Sequence, residues 1–252
     1  MKKRMKSTTD LTAGKERTDF IKEKIQELGL SVDERQAEQF DLYYQILIQW
    51  NSFMNLTAIT DFEEVVRKHF VDSLSIIQVI NPKDVDNLID IGTGAGFPGI
   101  PLKIMYPHLK VTLLDSLKKR IDFLQEVVGQ LKLEGIEAIH GRAEDYAKKG
   151  KKREQYDLCV SRAVANLSTL SEYCLPYVKI GGAFIPYKSG EVEKELEKAK
   201  SAVFLLGGKT EASKTFKLPG TDIGRSLLYI RKVNGCPVKY PRRSGMPAKE
   251  PL

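Results

Sequence analysis

The sequence has few of the residues that build disulfide frameworks and metal centres. Its 252 residues include only three cysteines and three histidines. The cysteines, Cys159, Cys174 and Cys236, are odd in number and widely spaced, which excludes a paired Cys-x-x-Cys metal motif and a disulfide scaffold. We therefore predict no bound metal, and we expect the chain to work in the reducing cytoplasm.

Long hydrophobic runs are also missing. No apolar stretch approaches the roughly 20 residues that a membrane-spanning helix needs, so we predict no membrane contact. The first residues are basic, but residues 7–17 are polar and do not form the apolar segment of a signal peptide. We expect residues 1–17 to be a flexible basic extension, because they hold too few apolar side chains to build a packed structure.

Acidic residues are in deficit. The chain carries 40 lysines and arginines against 33 aspartates and glutamates, a net charge of +7. A basic surface of this kind permits a nucleic-acid partner. A solvated surface without a partner accounts for the same excess, so charge leaves both interpretations open.

Residues 86–101 carry the most informative pattern. A short apolar strand runs directly into a glycine-rich loop, and a short helix follows. This order is typical of the first unit of a nucleotide-binding α/β fold. Glycine permits backbone angles that other residues avoid, and it allows a ligand to approach the main chain. The candidate cofactor-binding residues in this stretch are Asp90, Gly92, Gly94, Gly96 and Phe97.

The glycine spacing fits two kinds of nucleotide site. The glycines at 94, 96 and 99 match the dinucleotide fingerprint, which is weak alone. The frame that begins with a carboxylate at Asp90 and continues at Gly92 resembles the first motif of class I methyltransferases that use S-adenosylmethionine. Pro98 and Pro101 remove amide donors that a pyrophosphate would need at the helix start. The methyltransferase is favoured, and an NAD-dependent oxidoreductase remains the alternative.

Hydrophobic patterns predict strands that alternate with helices after residue 82. We predict an α/β fold of the Rossmann-like class I methyltransferase type, with a seven-stranded, mostly parallel sheet and helices on both faces. The predicted strands are about 86–91, 111–115, 136–140, 156–160, 183–187, 203–210 and 226–232. The predicted regions are the extension 1–17, an N-terminal helical region 18–82, a methyltransferase domain 83–233 and a basic, proline-rich tail 234–252.

Ligands of such sheets bind beyond the carboxyl ends of the strands. Asp115 ends the second strand 21 residues after Gly94, close to the ~20 residues expected for a carboxylate that binds ribose. A helix-capping role is its alternative. After the third strand, Ala143 and Glu144 are candidates to read the adenine edge. Arg162 follows the fourth strand, where the acceptor is expected.

Other polar side chains have less specific patterns. Lys188 follows the fifth strand and is a second candidate cation beside Arg162, with a structural role as its alternative, whereas ion pairing at the sheet rim is the alternative for Arg162. His69, Asp72 and Ser73 share one face of a helix, where we predict a polar lip of the site. A Ser-His-Asp hydrolase is disfavoured because a helix surface supplies no oxyanion hole.

Two basic stretches are candidates for RNA contact. Three cations lie in the first turn of the helix after Asp115, where they oppose the helix dipole. An anionic partner would explain them, and simple solvated charge is the alternative. The tail carries adjacent arginines, and it either wraps the domain or contacts RNA through them, with a disordered basic tail as the alternative. The RNA-binding candidates are Lys118, Lys119, Arg120, Arg242 and Arg243.

Five stretches occur together, in order, as in one bacterial family. They are His69-x-x-Asp72-Ser73-Leu74, DIGTGAGFPGIPL (90–102), LLDSLKKR (113–120), VSRAVA (160–165) and YPRR (240–243). From about residue 18 to its end, the chain resembles the glucose-inhibited division protein B family, which methylates a guanine N7 in 16S ribosomal RNA.

The resemblance implies S-adenosylmethionine as cofactor and the small ribosomal subunit, or an assembly intermediate of it, as partner. By position it implies that Gly92 and Phe97 border the cofactor, that Asp115 binds its ribose, and that Ala143 and Glu144 flank the adenine. It also implies that Arg162 reaches the cofactor or the guanine.

Guanine N7 carries a lone pair and no proton. We therefore predict catalysis by positioning, without a general base, with Arg162 and Lys188 as the catalytic candidates. A non-catalytic RNA-binding protein is a further alternative. We expect a monomer.

Overall fold

The computed structural model describes residues 8–148, 150–162, 165–190 and 192–252, with side chains described from residue 14 onward. One seven-stranded sheet runs through the molecule in the order β3-β2-β1-β4-β5-β7-β6. The strands are β1 (Asn87–Ile91), β2 (Lys110–Asp115), β3 (Ile136–His140), β4 (Tyr156–Arg162), β5 (Val178–Ser189), β6 (Gly208–Lys217) and β7 (Gly224–Lys232). β1 to β5 are parallel, and β7 is antiparallel to both of its neighbours. The predicted fold class is confirmed.

Helices follow the strands and cover both faces of the sheet. They are α5 (Gly99–Met105), α6 (Lys118–Gln130), α7 (Ala143–Tyr146), α8 (Leu167–Cys174) and α9 (Glu193–Leu205). Side chains alternate between the faces along β1, so Leu88 joins one apolar core and Ile89 joins the other. After β1 the chain continues to β2, which pairs with one side of β1, whereas β4 pairs with its other side. A crevice therefore opens at the carboxyl end of β1.

The N-terminal helices complete the first core. Helix α1 (Thr8–Gln26) and helix α2 (Glu34–Met54) pack with a helical segment at 62–78 on the face that also holds α5 and α6. Asp33 caps α2, because its carboxylate accepts the Gln36 N–H at 2.8 Å and the Gln36 side chain accepts the Asp33 N–H at 3.0 Å.

The predicted flexible extension differs from the structure in part. Residues 8–17 belong to α1, while residues 1–7 lie outside the described residues. The Arg17 Nη2 donates to Asp41 of α2 at 3.1 Å, so an ion pair ties this part of α1 to the body of the protein. Composition missed the helix because its stabilising contact is made with a distant residue.

The 62–78 segment changes its helical form along its length. It consists of α3 (Phe62–Val65), a π-helical turn (Val66–Val71), α4 (Asp72–Leu74) and a 3₁₀ turn (Ser75–Gln78). A π-helical turn inside a helix often marks a functional site, and this one carries His69.

The predicted start of the sixth strand is wrong. The sequence pattern placed it at 203, but α9 continues to Leu205 and β6 begins at Gly208. Ala199, Ala202 and Val203 are buried on one face of α9, a helical spacing that a short apolar run conceals.

The tail lies along α8 and ends in the short helix α10 (Met246–Lys249). None of the described helices is both long and apolar enough to span a bilayer.

Candidate active site

Asp90 shapes the glycine loop from behind. Its Oδ2 accepts the Thr93 hydroxyl at 2.7 Å and the Gly99 N–H at 2.9 Å. The side chain is fully buried, and this burial raises its pKa to about 6. Asp90 was predicted to bind the cofactor; its buried carboxylate bonds within the loop and supports a role in shaping that loop, and direct contact with the cofactor stays a prediction.

Glycine is required in the loop for two different reasons. Gly92, Gly94 and Gly96 have φ angles of 68°, 62° and 94°, in the left-handed region that favours glycine. At Gly99 a Cβ atom would collide with the Leu113 side chain and come within 3.0 Å of the Asp90 carboxylate. The loop therefore keeps its backbone open to the crevice while α5 packs tightly against the sheet.

Two cavities meet at the carboxyl ends of β1 and β2. The first has a volume of about 400 Å³ and the second about 210 Å³. They share Gly92, Asp115 and Ser116. The first also includes Gly94, Ala95, Phe97, Arg120 and Arg162. The second also includes Arg142, Ala143, Glu144 and Tyr173. Together they form an elongated site that contains most of the predicted cofactor residues.

Asp115 stands where the two cavities join. Its Oδ2 accepts the Gly94 N–H at 2.9 Å and the Arg120 guanidinium at 3.2 Å, and its Oδ1 accepts the Leu117 N–H at 2.9 Å. A carboxylate oxygen has two lone pairs, so Oδ1 retains one for a hydroxyl. Asp115 thus orders the glycine loop and the residue before α6 while it lines both cavities. It does not cap α6 in the way the alternative predicted, and its contact with a ribose stays a prediction.

The second cavity has apolar walls with polar groups at its rim. Ile91, Leu114 and the Tyr173 ring line it, and they suit the flat face of an adenine. The Ala143 carbonyl already accepts the Tyr177 hydroxyl at 2.6 Å, and Glu144 Oε1 accepts the Gly245 N–H of the tail at 2.8 Å. Glu144 therefore also anchors the C-terminal segment to the cavity wall.

A third cavity, of about 370 Å³, adjoins the first through His69 and Arg162. It lies at the carboxyl ends of β4 and β5, where the acceptor was predicted. Its other polar side chains are Lys68, Asp72, Lys188, Ser189, Glu195 and Arg225.

Arg162 lies between the first cavity and the third cavity and lines both. One guanidinium nitrogen donates to Asp72 Oδ2 at 2.9 Å and to the Lys68 carbonyl at 3.2 Å. The guanidinium carbon lies 5.0 Å from the centre of the Phe97 ring, a cation–π distance. Asp72 also accepts the Arg225 Nε at 2.8 Å, so two arginines share one buried carboxylate.

Arg225 was missed by sequence reasoning. It begins β7 next to Gly224, and nothing in its local sequence separates it from an ordinary surface arginine. The only available signal was Asp72, a carboxylate on a helix rich in apolar residues, which needs a cation from elsewhere in the fold once it is buried.

His69 is a neutral, packed side chain. Burial and the nearby Arg162 guanidinium lower its pKa to about 3. Its ring stacks on Phe97 with 4.6 Å between centroids, and its Nε2 lies 2.9 Å from the Thr57 hydroxyl. The Ser73 hydroxyl donates to the His69 carbonyl at 2.6 Å instead of facing the imidazole, so these residues do not form a hydrolase triad.

Lys188 lines the third cavity as part of an ion pair. Its Nζ donates to Glu195 at 2.6 Å and to the Ala165 carbonyl at 2.8 Å. The same Glu195 oxygen accepts the Leu167 N–H at 2.6 Å, so the pair fixes the start of α8. The structural role of Lys188 is thus supported, and its contact with an acceptor stays a prediction, although the side chain lines the cavity.

The predicted RNA-binding residues divide into two groups. Lys119 and Arg243 are exposed, and Lys118 pairs with Asp122 at 2.7 Å on the surface of α6. Arg120 pairs with Asp115 in the first cavity. Arg242 is engaged differently, because its guanidinium and its N–H all donate to Glu172, which has 0% exposure. This pairing argues against the predicted RNA contact for Arg242.

The strand order, the glycine loop and the cavities at the carboxyl ends define a class I methyltransferase fold. A SAM-dependent methyltransferase from Aquifex aeolicus has 15% sequence identity and a TM-score of 0.50, over 67% of this chain and 93% of that one. TYW2 of M. jannaschii, solved in complex with AdoMet, has 14% identity and a TM-score of 0.52, over 64% and 75% of the two chains. At these identities the likeness shows the fold alone.

Closer relatives identify the family. The GidB family model, described as rRNA small subunit methyltransferase G, matches residues 36–223. Ribosomal RNA small subunit methyltransferase G of Lachnoclostridium phytofermentans is 58% identical over 90% of this chain and 94% of its own. The enzyme of that name from Alkaliphilus metalliredigens is 51% identical, over 92% and 98% of the two chains.

The chain therefore belongs to the rRNA small subunit methyltransferase G family. With this fold it is an S-adenosylmethionine-dependent methyltransferase, and the oxidoreductase alternative loses its support.

Proposed function

We propose that this enzyme transfers the methyl group of S-adenosylmethionine to N7 of a guanine in 16S ribosomal RNA. The substrate is the small ribosomal subunit or an assembly intermediate of it, and the enzyme acts in the cytoplasm as a monomer. Family membership supports the RNA class of the substrate. The observation that carries the choice of N7 is that the titratable groups lining the third cavity are neutral or ion-paired.

The residues of the first two cavities fit this cofactor. The open backbone at Gly92 and Gly94 leaves room for the methionine part, and the free lone pair of Asp115 Oδ1 suits a ribose hydroxyl. The apolar walls beside Ala143 and Glu144 suit an adenine. When bound, the cofactor supplies an electrophilic methyl group on a sulfonium.

The groups around the acceptor cavity are poorly suited to remove a proton. His69 has a pKa of about 3 and its Nδ1 lies 3.2 Å from an Arg162 nitrogen. Asp72 is held by two arginines, and Glu195 by Lys188. An exocyclic amine or a ribose hydroxyl must lose a proton on methylation, whereas guanine N7 offers a lone pair directly.

Positioning is then the main task of the protein. Arg162 presents a planar donor fork that suits the guanine O6 or a neighbouring phosphate, and Lys188 adds a second cation beside it. Holding the two reactants in an aligned geometry can supply roughly 7–11 kcal/mol. The target base has to be unpaired or flipped, because the deep major groove of A-form RNA hides N7.

Methylation of isolated small subunits tests this proposal. Subunits that lack the modification are incubated with the enzyme and isotopically labelled S-adenosylmethionine, and the RNA is digested for mass spectrometry. We expect labelled 7-methylguanosine in 16S RNA, with a kcat that changes little between pH 6 and 9. Label on another atom or in another RNA contradicts the proposal, as does a kcat that follows one group titrating near neutrality.

A further inference from the structure

An exposed aromatic side chain lies at the end of α2. Phe53 is 66% exposed, although phenylalanine is among the residues most often buried. Its ring lies 5.4 Å from Trp50 between centroids, and Trp50 lies 5.7 Å from the buried Phe123 of α6. Phe53 is therefore the outer end of a row of three rings that runs from the core to the surface.

The row reaches the surface near the mouth of the cofactor cavity. Helix α2 ends at Met54, Asn55 turns the chain with a φ of 50°, and Leu56 already lines the cavity. Leu117 is 52% exposed and directly precedes α6, the helix whose Phe123 contacts Trp50 of α2. We call the three residues Phe53, Leu56 and Leu117, which flank the ends of these two packed helices, the aromatic rim.

Positive charge accompanies the aromatic rim. The first turn of α6 holds Lys118, Lys119 and Arg120, and cations at this end of a helix oppose the helix dipole. Lys118 has Asp122 as partner and Arg120 has Asp115. Lys119 is exposed and forms no ion pair with the described residues, and it lies one helical turn before Phe123.

We propose that the aromatic rim binds an unpaired RNA nucleotide next to the target guanine. The base stacks on Phe53, and the Lys119 ammonium contacts a neighbouring phosphate. Stacking on an aromatic ring beside a cation is the usual way to hold single-stranded RNA without reading its sequence. The inference rests on the proposed function and adds to it a site outside the three cavities.

The charge at this rim favours RNA over an apolar protein partner. A protein surface that covered Phe53 and Leu117 would also have to accommodate the Lys119 charge beside them. A nucleotide satisfies both features at once, because it joins a flat apolar base to an anionic phosphate.

Steady-state kinetics with small subunits test the stacking role. Phe53→Ala is expected to lower kcat/KM for subunits about 5- to 100-fold, the range that loss of one base–aromatic stack produces. Phe53→Tyr keeps a ring and should restore activity close to that of the unchanged enzyme. Affinity for S-adenosylmethionine should stay the same in both variants, which separates lost RNA contact from damage to the cofactor site.

Phe204 offers a matched control. It is 80% exposed on α9, which packs beside β6 at the sheet edge opposite β3 and α6. Phe204→Ala should leave kcat/KM unchanged. Equal activity of the Phe53→Ala and Phe204→Ala variants overturns the proposal. Failure of the unchanged enzyme to methylate subunits overturns the proposed function instead, and the next measurement still tests the rim.

Trp50 reports on the rim directly because it is the only tryptophan in the chain. Titration with an unstructured oligoribonucleotide should quench its fluorescence, with a midpoint that moves at least fivefold higher in Phe53→Ala. Lys119→Glu should weaken this binding and flatten its salt dependence, whereas Lys198→Glu on α9 should change neither. No quenching, or identical midpoints for all variants, contradicts the proposed stack.

Discussion

Asp90 and Asp115 end neighbouring strands, yet their carboxylates have different environments. Asp90 has 0% exposure and bonds only within its own loop, and burial raises its pKa to about 6. Asp115 receives N–H groups from two different loops and keeps an oxygen toward the cavity. Asp90 therefore fixes the shape of the glycine loop. Asp115 also fixes that loop, and in addition it lines the cavities where we propose that the ligand binds.

The neutral state of His69 makes the stability of the protein depend on pH. Its pKa is about 3 in the folded protein and about 6.5 in an unfolded chain. Between these values the unfolded chain binds the extra proton, so stability falls as the pH decreases below about 6.5. From pH 7.5 to 5, His69 alone should remove about 2 kcal/mol from the free energy of unfolding.

Urea unfolding at both pH values, for the unchanged protein and for His69→Gln, measures this contribution. The glutamine variant lacks the titrating group and should lose about 2 kcal/mol less over the same interval. Equal losses in the two proteins would mean that His69 keeps an ordinary pKa in the fold.

At the scale of elements, the 62–78 segment is tied to the sheet by one carboxylate. Asp72 of α4 accepts hydrogen bonds from Arg162 at the end of β4 and from Arg225 at the start of β7. The Tyr187 hydroxyl of β5 adds a bond of 2.7 Å to the Ser73 carbonyl. The third cavity therefore takes its shape from three strands and a helix that are distant in sequence.

Asp72→Asn preserves the size of the side chain and removes its charge. Both arginines then lose their ionic partner, and Arg162 is no longer fixed over Phe97. We expect kcat for subunit methylation to fall about 100-fold, the effect of a misplacement of roughly 1 Å. Affinity for S-adenosylmethionine should fall less than kcat, because Asp72 lines only the third cavity and acts on the first through Arg162 alone.

Asp145→Asn controls for the loss of a carboxylate, since its pair with Lys148 is exposed and should be nearly neutral to mutation. An Asp72→Asn enzyme with undiminished kcat would show that Arg162 needs no anchor.

The sequence could predict the elements that local patterns encode, but not the contacts between residues that are distant along the chain. Strands β1 to β5 were found because parallel strands are short apolar runs bounded by turn residues. The glycine loop and Asp115 follow from spacing along a single βαβ unit. The pairing of Asp72 with Arg225 joins residues 153 positions apart, and no local pattern encodes it. The π-helical turn was likewise invisible, because its residues have ordinary helical preferences.

At the scale of the whole molecule, the C-terminal segment closes the second core over the cofactor site. Tyr240 is buried in that core, and Arg153 donates to the Tyr240 and Cys236 carbonyls at 2.7 and 2.6 Å. The Gly245 N–H then donates to Glu144, which lines the second cavity. The composition of the tail left wrapping of the domain, RNA contact and disorder open, and the structure packs the tail against the domain, since its polar groups find partners in distant elements.

Arg242 and Arg243 allow these roles to be separated, because they are adjacent in sequence but face different surroundings. Arg242→Ala leaves the buried Glu172 without a cation, and we expect a loss of about 3 kcal/mol in the free energy of unfolding. Weaker binding of S-adenosylmethionine should accompany it, because Arg242 holds the segment that reaches Glu144.

Arg243→Ala should change stability by less than about 0.5 kcal/mol and should flatten the salt dependence of RNA binding. Chemical denaturation, calorimetry with the cofactor and RNA binding between 50 and 200 mM salt distinguish the variants. If Arg242→Ala instead flattened the salt dependence and left stability unchanged, the arginine would contact RNA, and its pairing with Glu172 would not persist in solution.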